Sequence, residues 1–259
     1  MPDLANSRVI VTGGSAGLGL AMVEALAERG ADVTAIARND TKFGAARDAG
    51  ARTIAGDATD AELINRIVAD IDPDVLILNA GARAPIAEID QQDWAGFSAV
   101  WNTDVKATLI GVQAALRTPM RPGARAPIMS SGAAMVMSHP AIDPSNLSMS
   151  GGYIGAKRMI WFMAHQANAV SRGRKLAISF QVLVPSQLIA GTELGRSVAA
   201  TCAQVEGLGV DEYVLKRYDS HLLPSQIGRQ VAELLAEPRY ETGVAYGFRD
   251  SVDIMPLDQ

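Results

Sequence analysis

Cysteine is almost missing: Cys202 stands alone in 259 residues. A single thiol excludes an intrachain disulfide and a thiolate metal cluster, and nothing marks an oxidising compartment. Histidine is scarce as well, and His139, His165 and His221 have no metal-ligand spacing, so no metal site is expected. No apolar run approaches the roughly 20 residues that span a bilayer. Positive charge is not in excess: the formal net charge is −5 and the pI about 5.2, which leaves no footprint for nucleic acid or an anionic membrane. The opening stretch MPDLANSRVIVTGG lacks the basic region, apolar stretch and cleavage site of a signal peptide. A cytoplasmic protein is expected, and the Asn146-Leu147-Ser148 sequon is then incidental.

What the chain does have is a hydrophobic content of 48% and a regular alternation of elements. Short β-branched runs at 8–13, 32–37, 52–57 and 74–81 are nearly continuous in apolar residues, as strands buried on both faces must be. Segments with helical spacing separate them, one carrying Leu63, Ile64, Ile67 and Val68. A long helix is expected over about 91–117, a fifth strand near 127–131, a helix to about 171, a sixth strand at 176–185 and a last one at 243–248. Repeated β-α units with short connections predict an α/β protein, a single doubly wound domain over 1–259 with a mostly parallel seven-stranded sheet and helices on both faces. Segment 186–223 has no strand signal.

Two short motifs carry chemistry. In GGYIGAKRM, Tyr153 precedes Lys157 by four residues, so both lie on one helix face within side-chain reach. A phenol with its ordinary pKa of about 10 is a poor acid-base catalyst at neutral pH, and a nearby ammonium favours its ionised form. Taken alone, this spacing also describes two residues on a solvated face. In TGGSAGLG, the first strand runs through Gly13, Ser15, Gly17, Leu18 and Gly19 into a helix. Such a turn lets a dinucleotide pyrophosphate approach the backbone and rest on the helix N-terminus. The glycine spacing is not the general GxGxxG, and the bland alternative is a tight turn.

With NAGA (79–82) closing the fourth strand, a serine after the fifth and YIGAK beyond it, the chain resembles the short-chain dehydrogenase/reductase family from about residue 7 to 193. The resemblance implies a Rossmann-type fold and a nicotinamide cofactor. Tyr153 would be the general acid or base, and Lys157 would favour its ionised form and hold the nicotinamide ribose. Ser131 would polarise the substrate carbonyl, with Ser130 as runner-up. Asp57, followed by Ala58, would contact adenine, unless Asp57 caps the next helix. Asn79, Ala80 and Gly81 would border the cofactor, and Pro185 and Thr192 would lie beside the carboxamide. The family commonly forms homotetramers or homodimers through its two long helices, here 91–117 and 150–171.

Several departures stand out. Ser131 and Tyr153 are 22 positions apart, wider than is usual, and the extra segment 132–149 is expected to cover the substrate. The usual Pro-Gly is Pro185-Ser186. Asp104 stands where the family has the asparagine of a proton relay, and either joins that relay or satisfies a helix kink. The second strand ends in Ala37-Arg38-Asn39 instead of an acid, so Arg38, helped by Asn39, is expected to bind a 2′-phosphate and favour NADP(H) over NAD(H). The function expected is reversible ketone reduction with a small-molecule carbonyl or alcohol as substrate, 186–223 forming much of the pocket. The alternatives are a 3-oxoacyl thioester reductase, another reaction such as epimerisation or dehydration, or a nucleotide-binding protein with little turnover.

Overall fold

The computed structural model describes residues 4–83, 86–138, 152–189, 191–218, 220–250 and 254–258. Strands β1 (Arg8–Thr12), β2 (Asp32–Ala37), β3 (Arg52–Ala55), β4 (Val75–Ile77), β5 (Arg125–Met129), β6 (Ser179–Pro185) and β7 (Ala245–Phe248) are parallel. The expected count of seven is corrected to eight: β8 (Met255–Pro256) pairs antiparallel with β7 at the sheet edge. Two residues are too few to show a period, and an edge tolerates Pro256. The order is β3-β2-β1-β4-β5-β6-β7-β8. Its direction reverses between β1 and β4, the switch point where open α/β sheets leave a cleft at the strands' carboxyl ends.

Strand alternation divides the core into two layers. Val9 and Val11 of β1 join Val75 and Ile77 of β4 on one side, against Met22, Val23 and Leu26 of α1 (Gly17–Glu28) and Ile227 and Val231 of α9 (Pro224–Ala236). Ile10 and Leu76 point the other way, toward Ile64 and Ile67 of α3 (Ala61–Ile71), Ile110 of α5 (Lys106–Arg117) and Ile160 and Ala164 of α6 (Gly152–Gly173). α2 (Gly44–Asp48) follows β2. These strands are apolar throughout because both faces are covered.

The expected helix over 91–117 is interrupted. α4 (Trp94–Val100) continues into a π-helical turn, Trp101–Val105, before α5 begins. The wider turn alters which side chains face inward, a common device at functional sites. Segment 186–223 contains α7 (Glu193–Glu206) and α8 (Val210–Arg217), which bury Ala199, Cys202, Tyr213 and Val214 in a small cluster of their own. At the amino end of the sheet, away from the cleft, buried Arg125 donates to Gln181 Oε1 and to the Leu234 and Leu235 carbonyls, tying β5 and β6 to the end of α9. Burial pulls its pKa down to about 10. Among the described residues no helix is long and apolar enough to cross a membrane.

Candidate active site

Thr12 closes the switch point. Its hydroxyl donates to the Ile77 carbonyl at 3.2 Å and accepts from the Asn79 and Ala80 amides at 2.9 and 3.1 Å. Asn79 Nδ2 returns a bond to the Thr12 carbonyl at 3.1 Å. The glycine-rich turn and the NAGA loop are thereby held together. A side chain at Gly19 is impossible, since a Cβ there would lie 2.1 Å from the Gly13 carbonyl oxygen. The sequence marks Gly13, Asn79, Ala80 and Gly81; Thr12 is the anchor it does not single out.

At the start of α1 the N-cap is Ala16, which provides no side-chain acceptor, and the first turn has no acidic residue. The first amides of a 12-residue helix therefore face the cleft without a capping group, next to Ser15, Gly17 and Leu18, an arrangement that suits a phosphate. Gly17 is bordered across the cleft by Thr192, whose Cγ2 would lie 3.8 Å from a Cβ at that position. Thr192 also caps α7, its hydroxyl accepting from the Gly195 amide at 2.9 Å. Pro185 closes β6 in register with Phe248.

Along the β2 edge, Ala37 pairs with Ala55, and exposed Arg38 follows it. Asn39 Oδ1 accepts from the Thr41 amide and hydroxyl at 3.0 and 2.7 Å, so only its amide nitrogen remains for a ligand. The cap of α3 is Asp60, which accepts from the Glu62 and Leu63 amides, and not Asp57. Asp57 instead accepts from the Thr59 amide at 2.8 Å, ahead of buried Ala58. That backbone bond, with Thr59's side chain and the charges of Arg38 and Lys106, holds the exposed carboxyl below its ordinary pKa.

The catalytic candidates meet where β4 and β5 end. The α6 helix presents Tyr153 and Lys157 together, with Nζ 5.6 Å from the phenol ring centre. Nζ also lies 2.9 Å from Asp104 Oδ2 and donates to the Met129 carbonyl at 3.3 Å. Asp104 Oδ1 accepts from the Ala82 amide at 2.7 Å, and its carboxylate sits close under Gly81, where a Cβ would lie 3.0 Å from Oδ2. Burial pushes the Lys157 ammonium toward its neutral form, but the Asp104 charge, the phenol and the hydrogen bond outweigh it and leave the pKa raised. The two adjacent serines are distinguished. Ser130 is buried and spends its hydroxyl on the Lys157 carbonyl at 2.9 Å, whereas half-buried Ser131, among the described residues, only accepts the Ala133 amide at 3.2 Å.

Of the extra segment 132–149, residues 132–138 form a 3₁₀ helix held to α6 by Arg158, which donates to the Ala134 carbonyl at 2.8 Å. His139 and the rest of the expected cover lie outside the described residues. His165 is exposed, and His221 Nε2 lies 3.6 Å from exposed Asp211, both away from this cluster. Arg83 reaches α7, meeting Glu193 at 3.3 Å and Ser197 at 3.2 Å.

Comparison with known proteins bears on the family and the fold. Gluconate 5-dehydrogenase of Gluconobacter oxydans (strain 621H) is 34% identical over 128 residues, 44% of this chain and 49% of that protein. The chain thus aligns with about half the length of the curated relative it matches. A solved structure described as a short chain dehydrogenase/reductase family protein has a TM-score of 0.71 at 23% identity, covering 95% of this chain and 96% of its own. A second, described as a candidate betaketoacyl-ACP reductase, has a TM-score of 0.72 at 24% identity over 97% and 98%. The family model for short chain dehydrogenase matches residues 7–141, from β1 through the glycine-rich turn, the NAGA loop, Asp104 and Ser131. On that match, the chain belongs to the short chain dehydrogenase family.

Proposed function

We propose that the protein is an NADP(H)-dependent oxidoreductase that interconverts a ketone and a secondary alcohol. The observation that carries the reading is the pairing of Tyr153 with Lys157 on α6, where the Lys157 ammonium reaches the Met129 carbonyl at the end of β5, two residues before Ser131. When bound, the nicotinamide supplies or accepts the hydride. Ser131 donates to the substrate oxygen and orients it, Tyr153 gives up or takes the proton at that oxygen, and the two stabilise the charge that develops there. Lys157 holds the ribose and electrostatically supports Tyr153.

In this reading Gly13, Ser15, Gly17, Leu18 and Gly19 hold the pyrophosphate, Asp57 and Ala58 the adenine, Asn79 to Gly81 the ribose, and Pro185 and Thr192 the carboxamide. Arg38, with the Asn39 amide, takes the 2′-phosphate. The whole chain serves as one unit, with 186–223 walling the pocket. The protein works in the cytoplasm as a homodimer or homotetramer. Reduction of a 3-oxoacyl thioester is the second reading, in line with the description of the betaketoacyl-ACP reductase neighbour.

Tyr153→Phe tests the proposal. The variant keeps the ring but lacks the transferable proton, so turnover of a ketone panel should fall on the order of 10²-fold or more while cofactor binding persists. Near-normal turnover would remove Tyr153 from the mechanism, and cofactor binding with no consumption by any substrate would favour a nucleotide-binding protein instead.

A further inference from the structure

The carboxylate at Asp104 changes what Lys157 can do. An ammonium near a phenol favours the phenolate as a monopole, with a field that falls slowly with distance. Here Asp104 Oδ2 lies 2.9 Å from Nζ, and both side chains are buried, at 2% and 8% exposure. Compensated at that range, the ammonium is felt at Tyr153 as one end of a short dipole. The carboxylate is also fixed: Oδ1 holds the Ala82 amide at 2.7 Å, Gly81 covers it, and the π-helical turn aims it inward.

Among the described residues, the other elements packed against α6 bring no rival charge. α4, β5 and β6 place no acid or base toward the pair among their described residues apart from Arg125, at the opposite end of the sheet. Lys106 at the start of α5 is exposed. Arg158 points to the Ala134 carbonyl, and Glu193 on α7 is exposed and joined to Arg83. Among the described residues, Asp104 is the carboxylate that faces Lys157.

We infer that Asp104 is a positioning residue that compensates the charge of Lys157, so that Tyr153 keeps its proton to higher pH and the site is set to donate a proton, the carbonyl-reducing direction. This rests on the catalytic reading of Tyr153, but its effect is an equilibrium property of the protein without substrate. It can therefore fail or stand separately from the proposed activity.

The experiment is an ultraviolet titration of the phenolate in the full chain, with the Tyr153→Phe counterpart subtracted each time to isolate that phenol. Tyr213, Tyr218 and Tyr246 are held above the ordinary phenol value, chiefly by burial, and so titrate later. In Asp104→Asn the Tyr153 phenol should lose about tenfold in proton affinity, as expected for removal of a unit charge several ångströms away. Asp104→Glu, which retains the charge, should titrate close to the natural protein. An unchanged curve in Asp104→Asn, or an equal shift in the Glu variant, would overturn the inference. If Asp104→Asn does not fold, circular dichroism of Asp104→Asn/Lys157→Met decides. A folded double variant supports charge compensation, because the stranded ammonium is gone. Failure of both to fold makes Asp104 a packing residue and overturns it.

Discussion

In the NADP(H) reading proposed above, Arg38 is the side chain that would select between two cofactors that differ by a phosphate. Ala37, in register with Ala55, puts no carboxylate at the end of β2 to accept a ribose hydroxyl or repel a phosphate. The exposed guanidinium next to it is within electrostatic reach of Asp57 and free to fork onto a dianion. Hydrogen bonds to a charged group contribute roughly 1.5–3 kcal/mol, so kcat/KM for NADPH should exceed that for NADH by about tenfold to a hundredfold. Ala37→Asp with Arg38→Ser should reverse the preference, by repulsion as much as by lost attraction. Comparing kcat/KM for both cofactors in both proteins checks this; preference of the natural enzyme for NADH would exclude Arg38 from the site. Asn39 was expected either to add a hydrogen bond to the phosphate or only to begin the turn; in the structure its oxygen caps the turn at Thr41, which leaves its amide nitrogen.

At the scale of elements, the start of α7 is a wall beside the candidate site. Its first turn touches three parts at once: Thr192 borders Gly17, Leu194 packs near Tyr153, and Glu193 with Ser197 receives Arg83. The Arg83–Glu193 pair is exposed at both ends, so it contributes little to stability. The Thr192 cap contributes more. Thr192→Val should cost about 1 kcal/mol, and the loss should fall on α7. Hydrogen exchange should speed up in its first turn with the β1 and β4 amides unchanged; uniform acceleration across the sheet would show that α7 is no separate unit. The sequence reveals little of this wall. The strands beneath it are legible because burial on both faces demands unbroken apolar runs such as VIVT and VLIL. Helices α7 and α8 bury only Ala199, Cys202, Tyr213, Val214 and a few neighbours, too narrow a stripe to stand out beside Glu206, Asp211, Glu212, Lys216 and Arg217. The π-helical turn is equally hidden, since one added residue leaves the local helical pattern almost intact. Its consequence, a buried Asp104 against Lys157, was half legible, as an acid where the family has an amide.

Across the whole molecule, the distribution of apolar surface bears on assembly. The face opposite the core on α4, the π-helical turn, α5 and α6 exposes Trp94, Trp101, Leu109, Phe162 and Val170, with relative exposures of 77%, 37%, 44%, 55% and 36%. Trp94 stacks with Phe97 at 6.0 Å, and Trp101 donates its indole N–H to the Gly152 carbonyl at 3.1 Å, which joins the π-helical turn to the start of α6. Single exposed hydrophobics need no explanation, but in the homodimer or homotetramer proposed above these side chains would supply the contact surface. With a formal net charge of −5, acidic substitutions on this face act against association twice, by desolvation and by like-charge repulsion. Leu109→Asp/Phe162→Asp should therefore convert a dimer or tetramer into a monomer in sedimentation velocity, while cofactor binding per chain persists because neither residue belongs to the cleft. A natural protein that sediments as a monomer at micromolar concentration, or a variant that keeps the natural protein's mass, would remove this face from the assembly.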